Sequence, residues 1–413
     1  MIMFVLILFF VSLLFLAEIF LRKYLINAGL FFKEFPSISK KIIKKYKTFD
    51  QYLGWKPIPT VNHPDNTGSY IGVNRGATYS INNLGSRTFE NSFEKEYIAT
   101  FGDSFCMCRE VKDNETIQYF LSQLTDSYVS NYGVGNYGLD QAILRLETTP
   151  LPKTIKHVFM IITPWTIERI ISVWKHYCEP GNVLAAKPRF VLENGNLKLI
   201  ENFIKNVNEF EKIPTYKKFL HQYDGNFPFF LKNLSHSPKT ALGYLFQDKD
   251  LLNYLLAYNK LKSSKDKDIK DFLKGAEPFI VKNLQKENEY LQTLYASQSL
   301  LLEAILLRFI QFCKSKEYTS NLIMLPSYSH IKFMQQNNIL YRGKLKLICK
   351  RIDLNFLDMF NFWNTFDKDD LEKYFIDTYG HHSALGNKCI AKIIYEEVLN
   401  KNNIGDIILT KET

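Results

Sequence analysis

The stretch Tyr97-Ile98-Ala99-Thr100-Phe101-Gly102-Asp103-Ser104-Phe105 decides how the chain is read. Its first five residues are of the apolar, β-favouring kind, and Gly-Asp-Ser then breaks the run just before a helical pattern begins. A short buried strand that turns directly into a helix is the building unit of a parallel sheet. Similar runs occur at 127–132, 157–163, 321–325 and 354–358. Helical periodicity falls between them, at 115–124, 138–147, 290–314 and 329–348. In the longest of these, Leu291, Leu294, Tyr295, Leu301, Leu302, Ile305, Phe309 and Phe312 recur at helical spacing and predict a core face. The alternation predicts an α/β fold with a parallel five-stranded sheet sandwiched by helices.

Residues 164–289 separate the third and fourth strands and are too long for a crossover, so they read as an insertion. Aromatic segments such as 216–230 predict helices or irregular structure packed round the sheet, with SSKDKDIKD at 263–271 as an exposed connection. The chain has 413 residues, of which 46% are hydrophobic and 23% charged, enough to bury a large core and to exclude disordered and fibrous classes. Its six cysteines, at 106, 108, 178, 313, 349 and 389, are too scattered for a disulfide scaffold. No Cys/His spacing matches a zinc site, and no metal or cofactor is expected. The net charge is +10, and residues 1–50 alone hold eight Lys or Arg against three acids. The rest is mildly basic with no arginine-rich stripe, so nucleic acid is not an expected partner.

Residues 2–17 are apolar except for Ser12, and the run resumes after Glu18 through Leu21. About 20 helical residues cross the ~30 Å hydrocarbon layer. No small-x-small cleavage site follows and no Lys or Arg precedes, which favours an uncleaved signal anchor over a removed leader. Residues 1–21 therefore read as a single-pass transmembrane anchor, 22–50 as a basic juxtamembrane segment and 51–413 as the body. The flanking Arg22 and Lys23 argue for a cytoplasmic body. The cluster KKIIKKYK at 40–47 fits anionic headgroups or a solvated linker equally well.

Two places carry candidate chemistry. Ser104, at a strand-to-helix junction, has its N–H and hydroxyl at a helix N-terminus, where an oxyanion is stabilised; turn and cap duty is the plainer reading. Near the C-terminus, Asp377-Thr378-Tyr379-Gly380-His381-His382-Ser383 leads into a helix with Leu385, Cys389, Ile390, Ile393, Ile394 and Val398 on one face. A carboxylate shortly before a histidine can orient the imidazole and stabilise its protonated form. Cys106 and Cys108 lie just after Ser104, as small buried residues or as thiols of lowered pKa.

In this order, at opposite ends of an α/β pattern, the two blocks resemble the SGNH hydrolase superfamily, the GDSL lipases and esterases. LGWKP at 53–57, SINNLGSR at 80–87, VKDNET at 111–116, NYGVGNYGLDQA at 131–142 and KPRFVLENGNLKL at 187–199 resemble its membrane-anchored bacterial members. The resemblance implies a flavodoxin-like three-layer domain with Ser104 as nucleophile, His381 as base and Asp377 as its orienting partner. His381 is preferred to His382 because the family places a glycine five residues on, where Gly386 stands. The Asp-to-His spacing is one residue longer than the family's D-x-x-H.

For the oxyanion hole the resemblance implies the Ser104 N–H, a second donor at Asn136, which holds the family's glycine position, and a side-chain donor after the third strand. There the chain reads Pro164-Trp165-Thr166-Ile167-Glu168-Arg169, with no Asn, leaving Thr166 or Asn136 as substitutes. The expected function is a membrane-anchored serine ester hydrolase acting through an acyl-enzyme on an acylated small molecule or envelope polysaccharide. An O-acyltransferase on the same residues, or a non-catalytic glycan-binding or assembly protein with a degraded oxyanion hole, are the alternatives. The resemblance also places the body outside the cytoplasm, in the periplasm, against the flanking charge.

Overall fold

The computed structural model describes residues 2–27, 33–64, 78–90, 92–236, 240–247, 249–263, 269–337, 344–366, 368–376 and 380–400. Besides a short antiparallel pair, Phe49–Asp50 with Gly54–Trp55, the strands in chain order are β1 (Thr60–Pro64), β2 (Thr78–Ile81), β3 (Arg87–Thr88), β4 (Glu96–Gly102), β5 (Tyr128–Asn131), β6 (His157–Ile162), β7 (Arg189–Glu193), β8 (Asn196–Ile200), β9 (Thr319–Met324) and β10 (Asn355–Asp358). All five strands expected of the parallel sheet are present as β4, β5, β6, β9 and β10. They lie in the order β10-β9-β6-β4-β5 and are mutually parallel. The sheet is larger than the expected five strands, because β3, β2 and β1 extend it antiparallel beyond β5 to eight. Those strands are too short or irregular to show a period-2 signal.

The principal helices are α1 (Ile2–Asn27), α2 (Lys40–Lys45), α3 (Ser104–Met107), α4 (Ile117–Thr125), α5 (Leu139–Thr148), α6 (Pro164–Glu168), α7 (Phe227–His236), α8 (Ala241–Gln247), α9 (Lys249–Ser263), α10 (Ile269–Ser315), α11 (Tyr328–Asn337), α12 (Leu345–Arg351) and α13 (Ala384–Ile394). The sheet is covered on both faces, so its strands alternate between two cores instead of between core and water. Val158, Met160 and Ile162 join Ala99, Phe101, Leu322 and Met324 beneath α5 and α10. Phe159 and Ile161 join Ile98, Val129 and Ile323 beneath α4 and α13. Each large apolar side chain contributes about 1.5–3 kcal/mol on burial, which is why a central run such as Val158–Ile162 is apolar without a break.

Three helical expectations are corrected. The helix expected at 290–314 begins at Ile269 and takes in part of the charged stretch read as a connection. The one expected at 329–348 is instead α11 and α12, with 338–343 outside the described residues. In α13, Ile390 and Ile394 are buried, but Leu385 is exposed.

The stretch read as a helical or irregular insertion also contains a β-hairpin, β7–β8, closed by Asn194 and Gly195 at φ 52° and 79°. Two left-handed residues suit the twist of a two-residue hairpin, and Asn-Gly supplies both. Lys187, fully buried at its base, reaches Asp140 of α5 at 2.5 Å and the carbonyls of Arg169 and Ser172 at 3.0 and 2.9 Å. Arg189 donates to the carbonyls of Ile171 and Tyr223. The hairpin is thereby fastened to the segment that follows α6.

α1 stands apart from this packing. Met3–Leu25 has a mean hydropathy of 2.9, and its most apolar stretch is uncovered, whereas Leu25 at its far end is buried. It is an exposed apolar helix of signal-anchor or signal-sequence type.

Candidate active site

Between β4 and its neighbours the chain order reverses: β5 lies on one side and β6 on the other. Such a switch point opens a crevice at the carboxyl ends of the strands. Ser104 is the first residue of α3, directly after β4, and so stands at that crevice. His381 comes from the loop before α13, and its Nε2 is 2.9 Å from Ser104 Oγ across 277 residues of sequence. Both are mostly buried, at 9% and 5% exposure. The imidazole stacks on Phe105 at 4.4 Å. Phe105 in turn meets the half-buried Trp165 at 6.0 Å.

Local hydrogen bonding sets the histidine loop. Ile376 N–H donates to His381 O, and Ser383 N–H to Tyr374 O. The Ser383 hydroxyl accepts from Gly386 N–H, capping α13, and donates to Lys373 O. A Cβ on Gly386 would lie 2.2 Å from Tyr374 O, so glycine at this position lets α13 close on the 3-10 turn Glu372–Tyr374. His382, next in sequence, is committed elsewhere, against Phe375 at 4.8 Å and Trp363 at 5.7 Å. Asp377, expected to orient His381, lies outside the described residues.

The nucleophile turn is braced from three motifs. Arg87 of SINNLGSR donates to the carbonyls of Met107, Cys108 and Val111 and pairs with Asp113 at 2.8 Å. Gln118 donates to Cys106 O, and Asn131 bridges Gln118 and Gly133 N–H. The orphan carbonyls at the end of the short α3 are thus satisfied. Gly133 lies flush against α3, where a Cβ would fall 2.3 Å from Met107 N. Trp55 of LGWKP donates its indole N–H to Gly135 O.

That last bond fixes the turn holding Asn136. Val134 N–H donates to Gly102 O and Tyr137 N–H to Val134 O, so residues 134–137 turn beside the Gly102-Asp103-Ser104 corner. Asn136 has φ 70°, the left-handed region that Asn tolerates better than most side-chain-bearing residues.

Thr166 sits differently from its expected role as an oxyanion donor. It is fully buried, accepts from Thr163 N–H, and gives its hydroxyl proton to Asp103 Oδ2 at 2.9 Å. One hydroxyl carries one proton, so no donor remains for a bound oxyanion.

Asp103 itself was not singled out from the sequence, although it stands within the motif. Its Oδ1 accepts from Phe105 N–H as the cap of α3. Its Oδ2 accepts from the hydroxyls of Thr163 and Thr166, and Arg169 Nη1 stands 3.6 Å away. Arg169 continues to Glu179 at 2.7 Å, and Glu179 to Lys175 at 2.6 Å. Thr163-x-x-Thr166-x-x-Arg169 was the available signal, because residues three apart share one side of a helical turn.

In this chain of charges, burial alone would raise the Glu179 carboxyl, but Arg169 and Lys175 outweigh it and hold it at about 2. Burial, reinforced by Arg169, lowers Lys175 to about 8 against the pull of Glu179. Since the Glu179 value is below its ordinary 4.5, its contribution is present above pH 4.5 and lost as pH falls from there towards 2. Urea unfolding of Glu179→Gln across that window should show a shallower acid limb than the parent. An unchanged limb would remove Glu179 from the balance. Cys106 and Cys108 are buried thiols; burial raises the first well above its ordinary value and the second to about 11, the reverse of an activated thiol.

No protein-family model and no curated protein matches the sequence. Among solved structures, the chain is similar to a candidate lipolytic protein of the G-D-S-L family from Desulfitobacterium hafniense DCB-2. The match covers 73% of this chain and 99% of that one, at 10% identity and a TM-score of 0.31. A likeness of that size assigns no residue a role.

Proposed function

We propose that the chain is a membrane-anchored serine ester hydrolase of SGNH type, its flavodoxin-like body lying outside the cytoplasm. The observation that carries this reading is the 2.9 Å approach of His381 Nε2 to Ser104 Oγ at the N-terminus of α3. In the first step Ser104 Oγ bonds to the acyl carbon while His381 Nε2 takes the hydroxyl proton. The tetrahedral oxyanion is held by the Ser104 and Asn136 backbone N–H groups, with Asp377 orienting the imidazole. On collapse, the carbon–oxygen bond to the leaving alcohol breaks and His381 returns the proton to it. Water, deprotonated by His381, then releases the acid and restores Ser104. No cofactor enters.

Transfer of the acyl group to a sugar hydroxyl would use the same steps with a different acceptor. The hydroxyl of Thr166, already given to Asp103, favours a second reading, a glycan-binding or assembly protein whose oxyanion hole has decayed. A fluorophosphonate probe separates the two. It should label the parent at Ser104, found by peptide mass mapping, and leave Ser104→Ala unlabelled; a folded parent that resists labelling supports the binding protein.

A further inference from the structure

The far end of α1 is clamped to the helices that precede α10. Glu18 accepts from the backbone N–H groups of Ala241 and Leu242 at 2.8 and 2.9 Å and from Arg22 at 2.9 Å. One turn and a half further on, the Tyr24 hydroxyl donates to Leu255 O of α9 at 3.1 Å. Residues 33–35 are also tied to the body. His176 Nε2 meets Lys33 O at 2.7 Å, His221 meets Glu34 at 2.6 Å, and Phe35 stacks on Trp174 at 6.1 Å.

These contacts fix where a bilayer round α1 must end. At ~1.5 Å per residue, residues 2–17 rise about 24 Å, most of the ~30 Å hydrocarbon layer, which puts Glu18 at its boundary. A carboxylate deeper in lipid would be expensive, and here it is met by two N–H groups and a guanidinium. α8 and α9 must then lie at the same level. α9 has Leu251 and Leu255 buried, at 0% and 4% exposure, yet Leu252 and Leu256, four apart on another side of the helix, are 47% and 62% exposed. On a freely solvated helix two such leucines would be a cost; at a headgroup boundary they are a gain.

We propose that α9 is a membrane seat: it lies in the headgroup layer beside α1, with Leu252 and Leu256 entering the acyl boundary. The body, and with it the crevice at Ser104, is thereby held at a fixed height and orientation above the lipid and does not swing on the chain after α1. The proposal rests on α1 being a membrane span.

The test uses the full chain with Cys178 and Cys389 changed to Ser, the four remaining thiols being buried. Leu252→Cys, Leu256→Cys, Val11→Cys and Leu347→Cys each carry a bimane label in phosphatidylcholine–phosphatidylglycerol vesicles. Val11 reports on α1, and Leu347, 63% exposed on α12, reports on the body surface. Quenching by doxyl-labelled lipid should be several-fold stronger at 252 and 256 than at 347, with aqueous iodide showing the opposite order. If 252 and 256 behave as 347 does while Val11 is quenched by lipid, α1 spans the membrane and the seat is wrong. If Val11 also escapes lipid quenching, the span itself is wrong and the seat falls with it.

Discussion

Replacing Ser104 by alanine should lower acyl-ester turnover by about 10⁴-fold or more, and His381→Gln should cost about as much. Nucleophile and base act as a unit: without the base the hydroxyl is a poor nucleophile, and without the hydroxyl the base has nothing to activate. The double variant should therefore be little worse than either single one. Neither change should unfold the protein, since Ser104 Oγ and His381 Nε2 meet each other at 2.9 Å and both replacements are close to the native volume. Purified protein in detergent, assayed on p-nitrophenyl acyl esters alongside thermal melts, gives both quantities. Retained turnover in a folded Ser104→Ala protein would end the serine mechanism. His382→Gln is the useful companion, because that ring sits among Phe375 and Trp363, so its loss should show in the melt before it shows in the rate.

Asp103→Ala should combine a stability loss of about 3–5 kcal/mol with a fall in turnover of about 10²-fold. Asp103 is 1% exposed and holds the Phe105 N–H, two threonine hydroxyls and the approach of Arg169. Its removal uncaps α3, leaves two buried hydroxyls without their acceptor, and takes a negative charge from a buried cation. The rate suffers because α3 carries Ser104, and a displacement of about 1 Å at a reacting group costs on the order of 10²-fold. Asp103→Asn keeps an oxygen for the cap while losing the charge, and should fall between parent and alanine in both measurements. Urea unfolding and the same ester assay decide it. If Asp103→Ala matches the parent in both, the network behind the nucleophile is incidental to the site.

The parallel sheet was legible because its central strands are covered on both faces. A run such as Val158–Ile162 must then be apolar without alternation, and its turn must break it sharply. The edge strands β1 to β3 were not legible, since two to five residues with one bulged register carry no period. The hairpin β7–β8 has only one sharp local signal, the left-handed Asn194-Gly195 turn, since its strands lie within a long stretch of mixed helical and irregular structure.

For the site, local sequence determined two things about this protein: that a Gly-Asp-Ser turn closes a buried strand, and that a histidine block with glycine five residues on opens the last helix. The residue types say which chemistry each turn can support, because hydroxyl, imidazole and cap preferences are properties of the residue and its neighbours. His381 was preferred to His382 from the sequence, but only the tertiary structure brought its Nε2 to Ser104 Oγ, turned Thr166 to Asp103 and not the crevice, and set Arg169 and Glu179 behind the nucleophile. Each of these joins or separates elements far apart in the chain. Such distances are set by how strands order in the sheet and how helices pack across it, and neither is written in any single stretch of residues.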